Sequence, residues 1–110
     1  MNTNKIAEIN DKLRQNLFKP GKDKVILTQG VSNLPFDEQL RILIKVKLFN
    51  NFNAGNDPYS QHDFGMIEHS KLKYFFKIDY YDTSMEYASD DPSNPDITTR
   101  VLTIMRADEY

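Results

Sequence analysis

Ile6, Ile9, Leu13 and Leu17 recur at intervals of three or four with polar residues between them, the spacing of one apolar stripe on a helix. Glu8 stands four positions before Lys12, where the two side chains meet on the helix surface. Thr3 or Asn4 can cap the start, and Pro20-Gly21 ends the segment. Val25-Ile26-Leu27-Thr28 then reads as a short strand before a turn at Gly30. Pro35 opens a second helix, with Asp37 and Glu38 in the first turn, where the helix dipole favours negative charge. This helix is predicted to run from Phe36 to Asn50. Its wheel carries Phe36, Leu40, Leu43, Ile44 and Leu48 on one apolar face and Ile42, Val46 and Phe49 on another. A helix apolar on most of its circumference is buried on two sides, so it is expected between the first helix and the sheet. The alternative is a homodimer in which Ile42, Val46 and Phe49 meet a second copy.

The second half changes to a period of two. Asn50 to Pro58 is a loop by composition, rich in residues that close turns with their own side chains. Phe64 to Glu68 reads as a strand. Leu72 to Tyr81 alternates, with Leu72, Tyr74, Phe76, Ile78 and Tyr80 on one face and Lys73, Phe75, Lys77, Asp79 and Tyr81 on the other. His69-Ser70-Lys71 joins the two as a hairpin. A short strand around Met85-Glu86-Tyr87, an acidic loop from Ser89 to Asp96 and a last strand from Arg100 to Met105 complete the pattern. The reading is α+β: a single domain over residues 1–110, two N-terminal helices packed on one face of a four-stranded antiparallel β-sheet. Ile9, Leu40 and Leu43 are expected to share the core with the apolar face of the long strand.

Composition narrows the classes. With 110 residues, 39% of them hydrophobic, the chain can build one core and is too short for two. The absence of cysteine removes disulfides, thiolate metal sites and cysteine nucleophiles together, and makes the cytoplasm the expected compartment. The polar Met1 to Lys5 segment shows no export signal, and no apolar stretch approaches the ~18 residues of a membrane span. The net charge of −2 is uneven: residues 1–52 carry +4 and residues 53–110 carry −6. Such asymmetry favours a charged partner or head-to-tail self-association, and a protein is the partner expected. With no run of Lys and Arg, nucleic acid is not the favoured one.

Candidate chemistry lies in His62-Asp63-Phe64-Gly65 and Lys77-Ile78-Asp79-Tyr80-Tyr81-Asp82. Both strings fall at the ends of neighbouring strands, so His62, Asp63, Asp79, Tyr81, Asp82 and Arg100 are predicted to converge on one rim. With Lys77 they form the expected binding set. His62 with Asp63, Asp79 and Asp82 supplies ligand types that suit a divalent cation, yet the spacing is not diagnostic, and neither metal nor cofactor is expected. The structural reading has Asp63 and Asp79 bonding turn amides, His62 packing on a tyrosine and Arg100 pairing with Asp79 or Asp82. A metal-dependent nuclease of the restriction type would want an acidic residue and then an acidic-x-Lys triplet on the next strand, and Lys77-Ile78-Asp79 runs in the reverse order. A metal-independent ribonuclease would use His62 or His69 as base, Lys77 or Arg100 against the phosphorane and Tyr80 or Tyr81 to stack a base. The acidic second half argues against it. Phe75 and Tyr81, framed by Lys73 and Lys77, would make a protein-binding patch if their face is open.

Those two strings, followed by Asp91-Pro92 and Thr99-Arg100-Val101-Leu102-Thr103-Ile104-Met105, resemble the bacterial domain-of-unknown-function family numbered 3768 over roughly Asp11 to Tyr110. The resemblance implies a small proteobacterial protein, often encoded on plasmids and other mobile elements, with no established activity. Gln61 stands where the family has an acidic residue and Arg106 where it has an apolar one. The first departure weakens the metal reading; the second predicts an earlier end to the last strand. The function expected is a small non-catalytic binding protein of mobile-element origin that modulates a host or plasmid macromolecule, such as an inhibitor of a bacterial defence system. The alternative is a metal-independent ribonuclease-like enzyme at the His62, Asp79 and Arg100 rim, with Lys77 as a further catalytic candidate.

Overall fold

The computed structural model describes residues 3–110, the side chain of Thr3 excepted. The cap expected of Thr3 and the reading of Met1 and Asn2 therefore lie outside the described residues. The elements are α1 (Thr3–Gln15), β1 (Lys24–Leu27), α2 (Gln29–Ser32), α3 (Phe36–Leu48), β2 (Phe64–His69), β3 (Leu72–Tyr81) and β4 (Thr99–Arg106), with 3-10 turns at Pro95–Ile97 and Ala107–Glu109. The fold is α+β. Its four-stranded sheet has the order β1-β4-β3-β2.

The sheet is mixed, which corrects the antiparallel expectation. β2, β3 and β4 form an antiparallel meander, but β1 pairs parallel with β4, from Lys24 opposite Val101 to Leu27 opposite Ile104. The chain must travel through two helices and a hairpin before β4 can lie beside β1, and a parallel neighbour always needs such a crossover. Asp23 fixes the start of this pairing by accepting the Arg100 N–H at 2.8 Å. The Thr28 N–H extends it by donating to Ile104 C=O at 3.1 Å.

Alternation then decides the layers. Tyr74, Phe76 and Ile78 of β3, Leu102 and Ile104 of β4 and Ile67 of β2 are buried on one face against Leu13 and Leu17, Val31, Ile42 and Val46. Leu72 shares this parity but, beside the hairpin turn, stays 48% exposed. Lys77 and Asp79 face away from the helices, as the pattern predicts. Gly65 is needed where it stands: a Cβ there would come within 2.3 Å of the Phe76 ring and 2.8 Å of Phe49.

α3 meets α1 on one side and β2 on the other, but by a different face from the one expected. Ile42 and Val46 are fully buried and Phe49 packs edge-on to Phe52 and Phe76, whereas Phe36, Ile44 and Leu48 are exposed. Ile9, Leu40 and Leu43 are only partly buried. A homodimer through Ile42, Val46 and Phe49 therefore has no surface to use, because the chain's own sheet occupies that face. Three smaller expectations also change. Met85 to Tyr87 forms no strand, and its neighbourhood makes one isolated bridge, Tyr81 to Ala88. β4 runs through Arg106 rather than ending before it. A short α2 follows Thr28 where a simple turn was predicted.

Candidate functional site

Strand geometry divides the predicted rim in two. Tyr80 lies opposite Arg100 on the helix-covered face, while Asp79 lies opposite Val101 and Tyr81 opposite Thr99 on the other. Adjacent residues of one strand point to opposite faces, so Asp79 and Tyr81 cannot join His62, Asp63 and Arg100. The Arg100 pairing expected with Asp79 or Asp82 is not formed. Asp79 instead takes the Lys77 ammonium at 2.8 Å. Asp82 closes the turn after β3, accepting from Ser84 Oγ at 2.8 Å and from the Glu86 N–H at 3.1 Å, bonds that hold its carboxyl below the usual carboxylate range.

The covered half is a buried polar network centred on a residue the sequence did not single out. Asn10 of α1 is completely buried. Its Nδ2 donates to Gln61 C=O at 2.9 Å and to Tyr80 Oη at 2.8 Å, and its Oδ1 accepts from Arg100 Nε at 2.7 Å. Tyr80 passes its own proton toward Asp63, 3.1 Å away. Arg100, 1% exposed, spans the core with its guanidinium over the Tyr80 ring at 5.1 Å and donates Nη2 to Pro92 C=O. Burial raises the Asp63 and Tyr80 pKa values and lowers that of Arg100. All three shifts express the cost of charge in a site with little water.

His62 belongs to a second network beside the first. Its ring stacks on Phe52, centroids 4.0 Å apart and planes 1° from parallel, rather than on a tyrosine. Its Nδ1 lies 2.9 Å from Asp11 Oδ1, and Asp11 also takes Arg14 Nη2 at 2.7 Å. Arg14 is buried, sets its guanidinium over the Phe52 ring, 5.1 Å from the centroid, and ties α1 to the end of α3 through the carbonyls of Val46 and Phe49. Asp57 orders the approach to His62. It accepts the Gln61 and His62 N–H groups at 3.0 and 3.2 Å, which supports His62 at φ +57°. Asp57, not Asp63 or Asp79, does the turn-closing expected of those two. Asn10 and Arg14 had one available signal: polar residues at helical spacing from Ile6, Leu13 and Leu17, whereas Asp11 had none.

The uncovered half is a surface. Phe64 and Phe75 lie 5.1 Å apart between ring centroids, and Tyr110 stands edge-on to both at 6.0 and 5.7 Å. Met66 is exposed beside them, and Lys73, Lys77 and Glu68 share the same parity. Tyr110 is brought there by the Ala107–Glu109 turn. Glu109 accepts from Thr28 Oγ1 at 2.7 Å, from the Gly30 N–H at 2.8 Å and from the Arg106 N–H at 2.7 Å, which pulls its pKa down. A shallow cleft of about 300 Å³ opens between Lys77, Met105, Glu109 and Tyr110.

Among the described residues no helix is long and apolar enough to cross a membrane. A family model described as "Protein of unknown function (DUF3768)" matches residues 27–109, which takes in Phe64, Met66 and Phe75 and leaves Asn10, Asp11, Arg14 and Tyr110 outside the matched segment. No curated protein matches the chain, and no solved structure does.

Proposed function

The chain belongs to the DUF3768 family of proteins of unknown function, and we propose that it is a small binding protein of bacterial mobile-element origin that modulates a host or plasmid macromolecule by docking a protein partner on the uncovered face of its sheet. One observation carries this reading: α1 and α3 pack on one side of the sheet, and the other side, where Val101 and Met105 are buried, still presents the half-buried Phe64 and Phe75 rings with exposed Tyr110 and Met66 inside a border of Lys73, Lys77 and Glu68. Aromatic and methionine side chains with a charged rim are what protein interfaces enrich. The uneven charge of the two halves suits a partner chosen by electrostatics.

The ribonuclease alternative has less support. It needs His62, Asp79 and Arg100 around one scissile phosphate, whereas Asp79 is on the far face and Arg100 is shut in the core. A catalytic group must come within hydrogen-bond reach of the reacting atoms. The test compares capture from the native host by the wild type, by a Lys73→Glu/Tyr110→Ala double variant and by Lys12→Glu on the helix side. A defined protein should be retained by the wild type and by Lys12→Glu, and lost at least about tenfold by the double variant, equivalent to about 1.4 kcal/mol. Equal retention by all three would remove the uncovered face from consideration. RNA cleavage by the wild type that disappears in His62→Asn would favour the enzyme instead.

A further inference from the structure

The outer edge of β2 is open, and the backbone says which of its groups face outward. Ile78 N–H donates to Asp63 C=O at 2.9 Å. With the register from Phe64 opposite Lys77 to His69 opposite Leu72, that bond turns the backbone groups of Gly65, Ile67 and His69 toward β3. Those of Phe64, Met66 and Glu68 then point away from the sheet, by the two-residue alternation of antiparallel ladders. β2 is the last strand in the order, so no strand meets them. Among the described residues, one side chain does: Lys45 of α3 donates Nζ to Glu68 C=O at 2.6 Å. The strand contains no proline, and its register with β3 is unbroken by any bulge. Proline, bulges and edge lysines are the usual protections of such an edge, and here only the lysine is present. Met66 on the strand is 40% exposed, and Leu48, one turn beyond Lys45 on α3, is 69% exposed.

We propose that this edge pairs with the same edge of a second copy, antiparallel about a two-fold axis through Met66, so that two four-stranded sheets become one continuous sheet. The outward residues are symmetric about Met66. An identical edge therefore matches each outward donor to an acceptor without any shift of register, which is the condition for an isologous contact. Charge selects the same register. Met66 faces Met66 of the second copy, and Glu68 faces Phe64 rather than another Glu68, so like charges are kept apart. Each Glu68 also enters a rung that holds Lys77 of the second copy beyond Phe64, while Lys73 of its own chain lies on its other side. The neighbouring lysine is that of its own chain, Lys73, while Lys77 of the second copy stays two strands away with its own Asp79. This inference is independent of what binds the uncovered face.

Lys45 then acts as a guard, competing with the second copy for the Glu68 carbonyl. The experiment is a sedimentation-velocity concentration series on the full chain, with far-UV circular dichroism to check each fold. The wild type should move from 12.9 kDa toward twice that mass as concentration rises. Met66→Lys and Met66→Glu each place like charges on the axis and should weaken association by about tenfold or more. An equimolar mixture of the two should recover it, because Lys then faces Glu. Lys45→Ala should tighten it while the largest species stays a dimer and the circular dichroism stays that of the wild type, whereas larger species would report misfolding. A wild type that stays monomeric to about millimolar concentration overturns the proposal, even if the edge captures an extended peptide of another protein. Association unchanged in both single variants, or unrecovered in their mixture, overturns it equally.

Discussion

Asp63 shows how one side chain can be read correctly as important and wrongly as to its partners. It stands next to His62 in the chain, yet its carboxylate meets Tyr80 and, through it, Asn10 and Arg100. Burial is the largest cause of its raised pKa, and the Tyr80 hydroxyl opposes that shift only in part. A carboxyl whose folded pKa exceeds its unfolded value holds its proton more tightly when folded, so its contribution to stability falls as pH rises from about the ordinary 3.8 through the raised value. Asp63→Asn keeps an oxygen for Tyr80 and removes the charge. The melting temperature of the variant relative to the wild type should therefore climb between pH 3.8 and neutrality, and thermal melts across that range check it. A difference that is flat with pH would mean that Asp63 is not charged against its surroundings.

Among the elements, the β2–β3 hairpin was the most legible, because β3 alternates and His69-Ser70-Lys71 marks the turn; the structure only moves His69 from the turn into β2. Ser70 and Lys71 occupy that turn with φ of +50° and +67°. Two successive left-handed residues make the turn that matches the strand twist, a geometry that normally recruits Asn and Gly. Neither Ser nor Lys is suited to it. Lys71→Gly should stabilise the protein by about 0.5–1 kcal/mol, the relief of left-handed strain less the added freedom of the unfolded chain, visible as a rise in the urea midpoint. α3 was legible as a helix but not as to its buried face. Its sequence is apolar on most sides, so periodicity cannot choose. The choice was made by Gly65, which leaves room for Phe49, and by the anchors Glu38 on His69 and Lys45 on the Glu68 carbonyl, which press Ile42 and Val46 onto the sheet.

Across the whole molecule, the two buried networks tie together parts that are far apart in sequence. Asn10 joins α1 to the loop before β2, to β3 and to β4, across as many as 90 positions. Asn10→Ala would leave Arg100 Nε without its acceptor and Gln61 C=O and Tyr80 without their donor. The expected cost is about 3 kcal/mol, since a buried group hydrogen-bonded to a charge loses more than a neutral one. Asn16→Ala on the exposed end of the same segment should stay within about 0.5 kcal/mol. Urea unfolding of the two variants makes the comparison. Equal effects would mean that the network is not what holds α1 to the sheet.

Local pattern alone determined that two helices, a hairpin and a last strand exist and which face of β3 is core, because periods of 3.6 and 2 are written in consecutive residues; the second helix, expected to reach Asn50, ends at Leu48. The same pattern also determined that Lys77 and Asp79 face away from the helices. Only the tertiary structure decided the rest. β1 could not be paired from sequence, since four apolar-leaning residues carry no mark of direction or partner, and their parallel neighbour lies more than seventy positions on. The rim could not be resolved either: six polar residues near strand ends say nothing of parity across strands, and parity sends Asp79 and Tyr81 to one face and Arg100 to the other. The partners of His62 and Arg100 came from α1, where Asp11 and Asn10 are polar residues of a surface helix until the packing of α1 against Tyr80 and Phe52 buries Asn10 and brings Asp11 to His62.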